Sequence, residues 1–100
     1  MPPSLRAGVA RVEITPSPGI DLTGYIARQN PSTGVRDPLY ARALALDDGQ
    51  RQIALVSCDL LSLEREFVHD TRRRITLATG IPGLQVMLAA THTHAGPATF

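Results

Sequence analysis

The sequence predicts an α/β fold: a mixed sheet built from an N-terminal strand, a β-hairpin and a β-α-β unit. Three observations lead there. Two strand-like runs, Leu39 to Asp47 and Gln52 to Asp59, flank Asp48-Gly49, a pair suited to a tight turn because Gly accepts positive φ. The second run, "QIALVSCD", is followed by a helix-like stretch and then by a short apolar run from Leu84 to Ala90. Strand, helix and strand in that order form two parallel strands joined by a right-handed crossover.

Each element has its own local justification. Val9 to Ile14 alternates apolar with polar or small residues, the pattern of a strand with one buried face. Thr15-Pro16-Ser17-Pro18-Gly19 ends it, since proline donates nothing to a ladder. From there to Pro38 the chain reads as a long loop, rich in proline and glycine, and loops of that length often carry function. The strand from Gln52 is apolar almost throughout, which predicts cover on both faces. Ser62 is placed to cap a helix from about Leu63 to Thr79. Glu64 and Glu66 fall in its first turn and Arg72, Arg73 and Arg74 in later turns, in the sense the helix dipole favours. Phe67, Val68, Thr71, Ile75 and Ala78 share one side, and the three arginines read as the solvated face. Gly80 and Pro82 end the helix.

The chain has 100 residues, enough for one domain, and 43% of them are apolar, which excludes a disordered tail. Aromatics are 4%, so the core is aliphatic. The net charge is +1, and all the basic residues are arginine; no extended basic surface predicts a nucleic-acid partner. No apolar stretch is long enough to form a transmembrane segment. The N-terminus has no apolar signal region, so the sequence as written predicts a cytoplasmic protein, or a secreted one if its true start lies upstream. Oligomeric state is not encoded in any feature of the chain. Cys58 is the single cysteine and sits in an apolar run with no base beside it, which favours a buried small hydrophobe over a nucleophile.

The chemistry gathers at the strand ends. A parallel β-α-β unit brings the C-terminal ends of its two strands to one edge, where open α/β sheets bind ligands. Here those ends carry Asp59 and His92-Thr93-His94. In an extended chain, residues i and i+2 project to the same side, so two imidazoles point into one cavity, and neutral imidazole is a common zinc ligand. Gly96-Pro97 then turns the chain and permits close backbone approach. His92, His94 and Asp59 together would make three ligands, or one histidine would bind metal while the other holds substrate or water. For Asp59 two readings stand side by side. It orients a ligating imidazole or holds a water, or it simply caps the turn that follows its strand. His69, in mid-helix among charges, reads as surface.

These residues resemble a known family. "RAGVARVEITP", Thr23-Gly24-Tyr25, "TGVRDPLYARALAL", "ALVSCDLL" and "VMLAATHTHAGP" occur in the order found at the N-terminal end of the neutral/alkaline (non-lysosomal) ceramidases. The most specific piece is Thr91 to Pro97, similar to the family's Thr-His-Thr-His-Ser-Gly-Pro, with Ala95 in place of Ser. The resemblance implies a zinc hydrolase that cleaves the amide of ceramide, or a related amide or ester, to release sphingosine and a fatty acid. It implies Zn²⁺ as cofactor, a zinc-activated water as attacking group, His92 as a metal ligand and His94 as a catalytic group beside it. It implies a small-molecule or lipid amide as substrate. The family's remaining ligands, a His, a Glu and a Tyr, lie further along a longer chain, so residues 1–100 are expected to be an incomplete N-terminal part of the catalytic domain and a fragment of a larger layered α/β hydrolase. Two departures bear on the substrate more than on the metal: Arg36 stands where ceramidases commonly carry His, and "AGPATF" lacks the usual glycine pair.

Two other classes fit the residues less closely. Other metallohydrolases also use His-x-His, but amidohydrolase barrels place it on their first strand, and metallo-β-lactamase sites need an Asp-His where this chain has Ala95-Gly96. A small α/β binding domain without catalysis is the reading from outside enzymology.

Overall fold

A computed structural model describes residues 4–19, 32, 34 and 37–97. Among them, the sheet has four strands in the order β1 (Arg6–Glu13), β2 (Tyr40–Asp47), β3 (Gln52–Cys58) and β4 (Val86–Ala90). The pairs β1–β2 and β2–β3 are antiparallel, and β3–β4 is parallel. The crossover is α1 (Arg65–Thr79) followed by a 3-10 turn at Gly83–Gln85. This is the mixed sheet that the hydrophobic pattern predicts. The 3-10 turn takes the first two residues assigned to the last strand, so β4 begins at Val86.

The β2–β3 turn is built by its own aspartates. Asp47 Oδ1 accepts from Gly49 N at 2.8 Å, and Asp48 Oδ1 accepts from Gln50 N at 2.8 Å and Arg51 N at 2.7 Å. Gly49 takes φ 92, a conformation that suits glycine.

The helix starts later than the sequence suggests, and without the expected cap. Glu64, not Ser62, holds the N-cap position, and its side chain makes no capping bond. The carbonyls of Leu60 and Leu61 are engaged by His92, so the chain leaves β3 on a non-helical path and turns helical only after Glu64. The C-terminus is as expected: Gly80 adopts φ 80, and its N–H donates to Thr76 O at 2.8 Å. The arginines lie mid-helix, and the last turn holds no basic residue. Arg73 and Arg74 pair with Asp70 at 2.7 and 2.9 Å, while Arg72 turns inward and its Nε donates to Val86 O at 3.0 Å. Arg72 therefore ties the helix to the start of β4 and is not part of a solvated face.

The core lies between α1 and β3–β4. Ala54, Ile81 and Val86 form its buried centre, with Ile75 and Leu88 packed against it. Of the expected helix stripe, Val68, Thr71 and Ile75 are half-buried, whereas Phe67 and Ala78 are exposed. Directly paired residues share a face of the sheet. On the helix side these are Ala45, Ala54 and Val86 with their neighbours two residues along; on the other side they are Leu44, Leu55 and Met87. That second side is open, with Leu55 38% and Met87 60% exposed. Within residues 1–100 the apolar β3 is thus covered on one face. Within residues 1–100 all of β1 is exposed as well. Among the described residues α1 packs over β3 and β4, and β1 is the strand furthest from it.

Candidate active site

The ends of β3 and β4 lie side by side, with Cys58 opposite Ala90 in the parallel ladder. Past them the two segments stay bonded. Thr91 N donates to Cys58 O at 2.9 Å and His92 N to Leu60 O at 3.0 Å. His92 then turns into the left-handed region at φ 66. The His-x-His segment is therefore not extended, and strand alternation is not what brings its rings together. A turn at His92 does so instead. The two imidazoles meet edge to face, with centroids 4.8 Å apart and planes at 86°. Left-handed backbone is uncommon outside glycine, though histidine is among the residues that adopt it more readily.

His92 Nδ1 lies 2.9 Å from Leu61 O. A carbonyl oxygen only accepts, so Nδ1 carries the proton in this contact. The neutral ring then presents its lone pair at Nε2. A backbone carbonyl on one ring nitrogen is the usual means of setting tautomer and orientation in a metal-binding histidine. His92 is exposed and His94 half-buried.

Asp59 faces its own neighbours. Its Oδ2 accepts from Tyr40 N at 2.9 Å and lies 3.4 Å from Arg42 Nη1, while its backbone N donates to Tyr40 O at 2.9 Å. Its carbonyl lies beneath the histidine turn: a Cβ on Gly96 would sit 3.3 Å from Asp59 O and 3.2 Å from Thr93 Cγ2. Gly96 is buried there, and the close approach it permits is to this backbone. The same edge brings Ile14 and Thr15 against Leu39, since Ile14 N donates to Leu39 O and Leu39 N to Thr15 Oγ1, each at 2.8 Å. Thr23-Gly24-Tyr25, Arg36 and the tail after Pro97 lie outside the described residues.

Sequence reasoning passed over Tyr40, Arg42 and Arg11. The guanidinium carbons of Arg11 and Arg42 lie 4.3 and 4.8 Å from the centre of the Tyr40 ring. The signal for Tyr40 was present: once Asp48-Gly49 sets the hairpin, counting back along the register from Asp47–Gln52 to Ala41–Cys58 brings Tyr40 opposite Asp59. Cys58 is buried, and burial, helped by the charge of Asp59, raises its thiol pKa, so it stays protonated packing material. His69 is exposed on α1. Among the described residues, no group of three or more His, Cys, Asp or Glu stands close enough to hold a metal ion. No helix among them is long and apolar enough to cross a membrane.

Residues 5–100 match the N-terminal region of the neutral/alkaline non-lysosomal ceramidases. The chain belongs to that family. Its fold is similar to the crystal structure of neutral ceramidase from Pseudomonas aeruginosa, at 28% identity and a TM-score of 0.83, over 98% of this chain and 16% of that one. It is likewise similar to a ceramidase complexed with C2, at 27% identity and a TM-score of 0.80, with the same coverage. The chain thus spans 16% of the length of each of these relatives. Within the family, the four-stranded sheet and crossover helix of the described residues are an α/β portion of a larger ceramidase domain.

Proposed function

We propose that the protein is a zinc-dependent, ceramidase-like hydrolase that cleaves the amide of an N-acylsphingosine or a related amide or ester. The observation that supports this best is the His92–His94 pair at the parallel strand ends, with Nδ1 of His92 committed to Leu61 O. That contact leaves Nε2 as the donor atom, which is what an imidazole ligand needs. His92 contributes one ligand, and further ligands come from outside the described residues. Bound Zn²⁺ supplies the polarisation of the amide carbonyl and the activation of the attacking water.

The chain's own groups do the rest. Leu61 O holds the His92 ring in one orientation and one tautomer. His94, nearly perpendicular to that ring, would stabilise negative charge on the substrate oxygen or pass a proton to the leaving nitrogen. Substrate is a lipid or small-molecule amide, and Arg36, where ceramidases commonly carry His, argues for testing chain length and head group broadly.

Metal analysis and kinetics on the intact protein test the reading. Zinc in His92→Ala falls well below one per chain, and activity on ceramides and short N-acyl amines disappears with it. His94→Ala keeps most of its zinc and loses about two to four orders of magnitude in turnover. Full zinc and full activity in His92→Ala would sink the site, and equal zinc loss in both variants would make the pair two ligands.

A further inference from the structure

We infer that Asp59 is the positioning residue of the His92 turn, acting through the backbone of residues 58–61 and not by touching metal or substrate. The inference rests on the proposed zinc site; of the roles open to Asp59 it takes the orienting of an imidazole, through the backbone and not by direct contact.

All four carbonyls of this short segment meet the histidine turn. Cys58 O accepts from Thr91 N at 2.9 Å, Leu60 O from His92 N at 3.0 Å and Leu61 O from His92 Nδ1 at 2.9 Å. Asp59 O is the floor under Gly96, 3.3 Å from where a Cβ would lie. The position of His92 and the choice of its protonated nitrogen are therefore copied from the path of residues 58–61. That path has already left the sheet, because the β2–β3 ladder ends at the pair Ala41–Cys58.

Asp59 keeps it in place. Its backbone N–H and its carboxylate grip both polar groups of one residue: N donates to Tyr40 O, and Oδ2 accepts from Tyr40 N, each at 2.9 Å. The carboxylate thus extends the ladder by one step with a side-chain acceptor. The Arg42 contact, at 3.4 Å with about half of the Arg42 side chain exposed, adds little, because ion pairs open to solvent are weak. The acceptor oxygen, not the negative charge, is what the fold requires of residue 59.

That distinction supplies the test. In the intact protein, Asp59→Asn keeps an oxygen for Tyr40 N–H and removes the charge. Asp59→Glu keeps the charge and moves the acceptor out by one methylene. Zinc affinity is measured on metal-free protein by competition with a chromophoric chelator. The His92 ring ¹⁵N shifts are read without zinc, at a pH above the imidazole range. We expect Asp59→Asn to bind zinc within about threefold of the parent and to retain the Nδ1–H signature. Asp59→Glu and Asp59→Ala should bind about 10–100-fold more weakly, the usual loss when the support of a ligating histidine is removed. Both should show a mixture of ring tautomers. The reverse order, Glu normal and Asn weakened, would mean that charge matters and would overturn the proposal. So would parental affinity and ring shifts in both Asp59→Glu and Asp59→Ala. If the parent protein binds no zinc, the proposed function fails, while the ring shifts still decide the role of Asp59.

Discussion

The two ends of the sheet use the same interaction, a carboxylate accepting backbone N–H, in opposite ways. At the hairpin end Asp47 and Asp48 bond to residues two and three positions ahead. At the histidine end Asp59 bonds to Tyr40, 19 residues away, and His92 reaches Leu61, 31 residues away. The first end can form as soon as its six residues do. The second exists only when β2, β3 and β4 have all assembled. The geometry of the candidate site is therefore a product of the whole sheet, and damage to any of the three strands reaches it.

Two glycines sharpen this contrast, and Gly96 should show the larger effect. It is required for space: an added Cβ meets Asp59 O and Thr93 Cγ2 at 3.3 and 3.2 Å. Gly96→Ala should cost about 1–3 kcal/mol, as overpacking generally does, and should weaken zinc binding because the histidine turn is lifted off its floor. Calorimetric unfolding and zinc titration of the same variant check both parts. Normal zinc affinity would show that the turn does not depend on this contact.

Gly49 is required for its backbone, with φ 92 and nothing within 4 Å of an added Cβ. Gly49→Ala should destabilise by about 1–2 kcal/mol through left-handed strain alone. Zinc affinity and activity should be unchanged, because the hairpin is at the opposite end. A thermal shift accompanied by loss of zinc would break the separation between the ends.

The smallest effect is electrostatic. The Gln52 side chain and the Gly49 N–H lower the Asp47 pKa from 3.8, and the Arg51 and Gln50 N–H groups do the same for Asp48. A carboxyl whose folded pKa is depressed stabilises the fold above its unfolded pKa, and that contribution is lost as pH falls through the folded value. Asp48 is exposed and Asp47 is only partly covered, so the effect is slight. Asp47→Asn and Asp48→Asn should be less stable than the parent at neutral pH, and the gap should close as pH falls below 3.8. Denaturant unfolding at several pH values measures it; a gap that persists in acid would mean the turn depends on shape and not on charge.

The order of elements was legible because it depends on local signals. Asp48-Gly49 between apolar runs marked the hairpin, and the run, helix, run sequence after it marked the parallel crossover. Gly80 marked the helix end, and its left-handed φ confirms why. The start of the helix was not legible, since Ser62 is a good cap by type but Leu60 and Leu61 are drawn to His92. Within residues 1–100 one face of β3 and all of β1 are open, and the chain spans only 16% of the length of its relatives, so these faces leave the expectation of cover untested. Alternation and hydrophobicity reveal which residues prefer to be covered; they do not reveal which element covers them.

Sequence alone determined which residues stand at the strand ends: Asp59 after one parallel strand, His92 and His94 after the other. Their family resemblance was present in the same letters. Only the tertiary structure decided how they meet. The His92 turn, the choice of Nδ1 as its donor and the direction of the Asp59 carboxylate all depend on hydrogen bonds between segments 19 to 31 residues apart. Such bonds have no local signature, because each partner's preference is satisfied equally well by water until the sheet brings the other within reach.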